Sequence, residues 1–302
     1  MEPASHTARW KILLAFAIIY FVWGSTFFAI RVGVHEVPPL LLAGLRFLIS
    51  GIVLYLWMLA RREASPTLRQ WGSATILASL IFLGDYGLLF WAEQRVPSGV
   101  AAVMMATIPA FMALSEIVIL RTQRLTLALG TALVIGMGGV AVLTLRTLNL
   151  GSAAISATGA TALISGAICW SVASVLTRKL PLPESKVMSS GAQMLAGGVL
   201  LMAASAIRGE FHDFHPAAVS SAAWLALIYL IVFGSIVGFT AYVWLIHRES
   251  PTRVGTYAYV NPVVAVILGY LLGGEPLGLR TLLGTAFVLV SVVMITTAKS
   301  KK

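Results

Sequence analysis

Residues 18–31 read IIYFVWGSTFFAIR, and residues 163–178 read LISGAICWSVASVLTR. Each is an apolar run broken at its centre by a tryptophan and small or hydroxylated residues, and each ends in arginine. The tryptophans, Trp23 and Trp170, stand 147 residues apart. Sliding the chain against itself by that distance also places Arg31 on Arg178, Arg46 on Gln193, Gly51 on Gly198 and Glu63 on Glu210. Farther along, the shift drifts to 153 or 154: Trp71 meets Trp224, Pro109 meets Pro262, and LGTA at 129–132 meets LGTA at 283–286. The order of these matches along the chain makes the sequence an internal repeat.

Composition fixes the medium in which the repeat folds. The chain of 302 residues is 59% hydrophobic and 11% charged, with a mean hydropathy of +0.92. Soluble domains carry roughly 25% charged residues, so this composition belongs to a membrane protein. A spanning helix needs roughly 20 mostly apolar residues to cross a core about 30 Å thick. Ten windows qualify: 12–32, 39–60, 71–92, 99–120, 126–147, 158–178, 187–207, 221–247, 253–273 and 279–298. Short connections rich in Pro, Gly or charge separate them, such as HEVPP at 35–39 and GGEPLG at 273–278. Segments of about ten residues with alternating polarity, the mark of a membrane β-barrel, do not occur. Arg9 and Lys11 precede the first window, which has no small-residue cleavage pattern and reads as an uncleaved helix. The single cysteine, Cys169, rules out an intrachain disulfide and a cysteine metal cluster.

The net charge of +10 reports orientation rather than a nucleic-acid partner. With the N-terminus in the cytoplasm, 15 basic residues fall on the cytoplasmic side, and five (Arg31, Arg95, Arg146, Arg208 and Arg280) on the other. That asymmetry over short loops predicts both termini inside. Five windows per repeat, an odd number, require the second repeat to enter from the opposite side. The expected fold is therefore all-α and polytopic, with ten transmembrane helices in two inverted five-helix repeats, residues 12–147 and 158–298. Inverted repeats place a binding site between the halves near the midplane.

The stretches WGSTFFAIRVG (23–33), PPLLLAGLRFLISG (38–51), VPSGVAAVMMATIPAF (96–111), TYAYVNPVVAVILG (256–269) and the GGEPL step (273–277) together resemble the EamA family of the drug/metabolite transporter superfamily. The resemblance covers about residues 12–297. It implies a bacterial inner-membrane protein in which helices 1–4 and 6–9 surround a central cavity and helices 5 and 10 lie outside. It also implies export of amino acids or other small metabolites.

Candidate site residues follow from depth. Trp23 lies roughly 18 Å past Lys11, near the midplane, and its indole N–H needs a partner. It reads, with Ser25 and Thr26, as cavity lining; Trp170, Ser171 and Ser174 form the counterpart. The alternative is helix packing, with the hydroxyls bonded back to their own backbone. Arg46, about 12 Å past Pro38, matches the depth of Asp85, about 12 Å before Glu93. Two readings stand for them: a structural ion pair joining helices 2 and 3, or an anion site at Arg46 with Asp85 as a titrating group for proton coupling. Gln193 at the repeat position of Arg46 suits a polar cavity. Tyr86, Tyr242, Tyr257 and Asn261 complete the expected lining. Pro109, beside Thr107, and Pro262 form paired helix breaks of the kind found at transport sites. Glu116 is expected to pair with Arg121 at the cytoplasmic edge; Glu93, Arg95 and Glu275 are expected on rims. His247 beside Arg248 sits near a helix end and points to no particular role.

The function classes narrow accordingly. A secondary exporter of a small-molecule solute leads, with import or broad drug export on the same fold as alternatives, and a non-transporting sensor behind them. No phosphate-binding loop of the Gly-x-x-x-x-Gly-Lys-Ser/Thr type occurs, so no nucleotide cofactor is expected. The missing His-Glu-x-x-His motif and the absence of paired intramembrane aspartates argue against an enzyme and a metal. Monomer and homodimer both fit.

Overall fold

The computed structural model describes residues 9–94, 104–144, 157–212, 214–273 and 279–297. Among these the chain is helical, without strands. Six helices are long and apolar enough to cross a membrane: α1 (Arg9–Val34), α2 (Pro39–Ala60), α3 (Leu68–Ala92), α6 (Ala157–Leu176), α7 (Lys186–Ile207) and α8 (Ser221–Ile246). Shorter apolar helices are α4 (Ile108–Leu120), α5 (Leu127–Thr144), α9 (Tyr257–Gly273) and α10 (Leu279–Thr297). The hydropathy windows at 221–247 and 279–298 therefore end within a residue of the helices. The window at 253–273 divides into a one-turn helix, Pro251–Val254, and α9.

Local chemistry sets the helix ends. Thr67 and Gln70 form a reciprocal capping box at the start of α3. Ser185 and Ser220 accept backbone N–H groups at the starts of α7 and α8. Pro38 gives α2 no side-chain cap. Instead Glu210, from the connection after α7, accepts hydrogen bonds from Leu41 N at 2.8 Å and Leu40 N at 3.4 Å. The carboxylate suits the positive end of the helix dipole. Glu36 does the same for α8, accepting from Ser220 N at 2.6 Å and Ser220 Oγ at 2.8 Å.

The crossing of α2 and α7 carries the repeat symmetry. A Cβ on Gly51 would lie 2.4 Å from Leu195 N, and one on Gly198 would lie 2.4 Å from Leu48 N. Gly44 abuts Met202 while Gly191 abuts Tyr55. Each contact becomes its partner when 147 is added to one residue and taken from the other. The partners run down α7 as α2 runs up, so the two helices are antiparallel. Antiparallel mates exchanged by a two-fold axis require that axis to cut across the helices, the geometry of an inverted pair. Only glycine permits such an approach, because any Cβ would meet backbone atoms.

α3 and α8 share a second feature. Each contains a π-helical stretch, Ser79–Gly87 and Leu230–Val237. The Trp71–Trp224 shift carries residues 79–87 onto 232–240, so the wide turns occupy matching places. Such turns often mark functional positions. α5 and α10 pack on one another, with Ser291 Oγ donating to Ala132 O at 2.6 Å, and α9 joins them through Tyr259 OH and Leu133 O at 3.0 Å.

Candidate functional site

Four rings meet where the halves join: Trp23 on α1, Trp170 on α6, Tyr242 on α8 and Tyr257 on α9. All six pairs among them are in ring contact, with centroids 4.8–6.2 Å apart. Tyr86 of α3 extends the box, 5.9 Å from Trp170. Every one of these side chains is buried, so the rings fill the space between the halves and the site is closed. The two repeat mates, Trp23 and Trp170, touch each other at 5.5 Å.

The wide turn of α8 receives the first half. The Trp23 indole N–H donates to Gly234 O at 3.0 Å. Gly234 also makes room for Arg46: a Cβ there would lie 2.8 Å from Nη2 and 3.0 Å from the Thr26 methyl. Arg46 Nε donates to Ser235 Oγ at 2.8 Å. Its guanidinium lies over the rings of Phe47 and Tyr86, at 4.6 and 5.2 Å, an attraction between cation and π face. Arg46 is 1% exposed, and Nη1 has no hydrogen-bond partner.

The Arg46–Asp85 ion pair, one of the two readings of these residues, is not formed. No described carboxylate lies within 4.0 Å of the guanidinium. Arg46 turns towards α8, whereas Asp85 turns towards α6, where a Cβ on Gly166 would meet Oδ1 at 3.1 Å. Asp85 is buried and Oδ1 lacks a partner. An arginine keeps its charge in a protein, and a charge at mid-membrane costs about 2.5–3.5 kcal/mol on insertion scales. Among the described residues, Arg46 is thus a buried cation with no carboxylate within 4.0 Å.

Several expected lining groups spend their polarity locally. Thr26 Oγ1 donates to Trp23 O at 2.7 Å, and Ser25 Oγ to Val22 O at 2.7 Å, with Tyr229 OH at 2.5 Å on its other side. Ser171 Oγ donates to Ala167 O at 2.6 Å, and Thr107 Oγ1 to Met104 O at 2.5 Å. Each of these hydroxyls bonds back three or four residues along its own segment, and Ser171 also reaches Ile108 O on α4 at 3.3 Å. Ser174 instead accepts from Tyr242 OH, tying α8 to α6. Gln193 is buried and donates to Ser189 Oγ at 3.1 Å, leaving Oε1 without a partner, as is Asn261 Oδ1. Pro262 lies inside α9, while Pro109 occupies the first turn of α4, after a turn at Ala106–Thr107.

Glu116 corrects another expectation. It makes no ion pair with Arg121, whose φ of 59° turns the chain away at the end of α4. The carboxylate accepts from Thr252 N at 3.1 Å, Thr252 Oγ1 at 2.7 Å and Thr122 Oγ1 at 3.0 Å. It thus caps the one-turn helix of the opposite half. His247 Nδ1 lies 2.8 Å from Val243 O. Burial, together with Lys186, Arg178 and Arg248, holds its imidazole below the ordinary range. Arg95 and Glu275 lie outside the described residues.

Sequence reasoning missed Ser235, Phe47 and the two carboxylate caps, Glu36 and Glu210. Ser235 stands inside GSIVG at 234–238, where the glycine spacing is a sign of close helix contact and not of a polar site.

Closely packed apolar helices around a polar-edged aromatic box describe a polytopic membrane protein. The EamA-like transporter family matches residues 9–145 and 157–297, and the chain belongs to that family. It is 39% identical over 283 residues to the uncharacterized inner membrane transporter YedA of Escherichia coli K12, covering 93% of this chain and 89% of that protein. A probable amino-acid metabolite efflux pump of Salmonella typhimurium is 28% identical over 280 residues, covering 90% of each. A solved crystal structure superposes with a TM-score of 0.77 at 23% identity, over 95% of this chain and 97% of that one, a likeness of fold.

Proposed function

We propose that this chain is an inner-membrane secondary exporter of small metabolites, above all amino acids or related carboxylates. It works by alternating access between two inverted five-helix repeats, residues 12–147 and 158–298, with ten spans and both termini in the cytoplasm. The observation that carries this reading is Arg46, a buried guanidinium with one nitrogen unpartnered and no counter-charge, beside four mutually packed rings. A carboxylate solute supplies the missing anion, and Trp23, Tyr86, Trp170, Tyr242 and Tyr257 offer an apolar wall for its side chain. Gln193 and Asn261, each with a free carbonyl oxygen, add acceptors for a solute ammonium. Pro109 and Pro262 act as hinge points. The relative described as an amino-acid metabolite efflux pump supports the substrate class.

The test is efflux from liposomes that contain the purified protein and a panel of labelled amino acids. Retention of every amino acid by protein of native thermal stability would remove the substrate assignment. Efflux lost in Arg46→Gln but kept in Gln193→Glu would support it.

A further inference from the structure

Asp85 is the buried ionisable group that the substrate site leaves unused. We propose that Asp85 is a proton-binding site, loaded through the open cavity at the charge-poor end of the helices, and that it couples proton entry to solute exit. This rests on the export reading for its second half only; proton binding stands by itself.

Three observations support it. First, the carboxyl is buried in the middle of α3, with Oδ1 lacking any hydrogen-bond partner and no cation within ion-pair distance. A carboxylate so placed is costly in hydrocarbon, and a proton removes the cost. Second, the groups that face Asp85 cannot supply a compensating charge. They are Cys169 on α6, Tyr242 on α8, Tyr257 on α9 and Tyr86 on its own helix. Arg46 on α2 is engaged with Ser235 and with the rings of Phe47 and Tyr86. A bare metal ion would need a shell of oxygens, whereas Asp85 Oδ1 faces the Gly166 backbone.

Third, a cavity of about 700 Å³ opens between α2, α3 and α6 beside Arg208, Trp91, Thr158 and Thr161. Its inner wall includes Leu83 and Gly87, two residues either side of Asp85, and Ser165, next to Gly166. Gly166 is the closure between this cavity and the carboxyl: it has no side chain, and a Cβ there would lie 3.1 Å from Asp85 Oδ1 and 3.4 Å from the Asp85 α-carbon. A small separation of α3 from α6 at that glycine puts Asp85 in contact with cavity water. The step is a simple protonation: the carboxylate accepts H⁺ on the charge-poor side and releases it on the other, with no redox change. Asp85 is then neutral in the closed form seen here.

Two measurements test the proposal. In infrared difference spectra, the protein should show a carboxylic-acid C=O band at neutral pH that Asp85→Asn removes. Absence of that band in the wild type would mean an ionised Asp85 and would overturn the proposal, whatever the protein transports. In liposomes held at zero membrane potential, one proton per solute predicts a steady-state solute ratio of about tenfold per pH unit. Asp85→Asn should collapse that ratio to unity while keeping solute–solute exchange, and Asp85→Glu, which retains the acid, should preserve it. A ratio unchanged in Asp85→Asn, or one driven by sodium instead of protons, would overturn the coupling role.

Discussion

The α2–α7 crossing and the ring box one layer away obey the repeat differently. At the crossing, mates do the same job: Gly51 and Gly198 each admit a leucine backbone, with Cβ positions 2.4 Å from the amide nitrogens. In the box they do not. Trp23 donates its N–H to Gly234 O, while the Trp170 N–H has no hydrogen-bond partner. Arg46 is a cation; its mate Gln193 is neutral and bonded to Ser189. Packing keeps the two-fold relation because each glycine must admit the backbone of the facing helix. Chemistry abandons it, and on the proposed reading the lone cation answers a single solute carboxylate.

The strongest way to break this comparison is to load the crossing itself. Gly51→Ala and Gly198→Ala should each destabilise the protein by about 1–3 kcal/mol, the usual cost of overpacking, and by similar amounts. Denaturation in detergent would check it; a large effect at one glycine alone would end the symmetric account. Next comes the tryptophan pair. Trp23→Phe strips the partner from a buried carbonyl and should cost about 1–3 kcal/mol, whereas Trp170→Phe breaks no hydrogen bond and should cost less. Thermal melts of the two variants decide the order.

A smaller effect is expected at the outer link between halves. The backbone and hydroxyl of Ser220 hold the Glu36 carboxyl below its ordinary value of 4.5. A carboxyl lowered on folding contributes stability above its unfolded pKa and loses it as pH falls through the lowered one. The protection factors of the first-turn amides of α8 should therefore be high at neutral pH and fall as the pH drops below 4.5. Glu36→Gln should show the lowered protection already at neutral pH.

Hydropathy made the helices legible, because crossing a bilayer leaves little choice of length. The shift of 147 made the α2–α7 pairing legible, since Gly51 and Gly198 already aligned in it. Rotation about the helix axis was the hidden quantity. Helix rise placed Arg46 and Asp85 at one depth, but the wide turn at Ser79–Gly87 aims Asp85 at α6 while Arg46 faces α8. The same limit hid the fate of Ser25, Thr26 and Ser171, since a hydroxyl that can line a cavity can as easily bond one turn back. Glu116 was misjudged because its partner, Thr252, lies 136 residues away.

The central claim is that Arg46 awaits a carboxylate. Its most direct measurement compares, in one preparation, the affinity for a transported amino acid and for the amine left when its carboxylate is removed. A hydrogen bond to a charged group is worth about 1.5–3 kcal/mol, or roughly a tenfold to hundredfold preference. The wild type should prefer the amino acid by that factor, and Arg46→Gln should bind both alike. Equal affinities in the wild type, or a preference that survives in Arg46→Gln, would contradict the account.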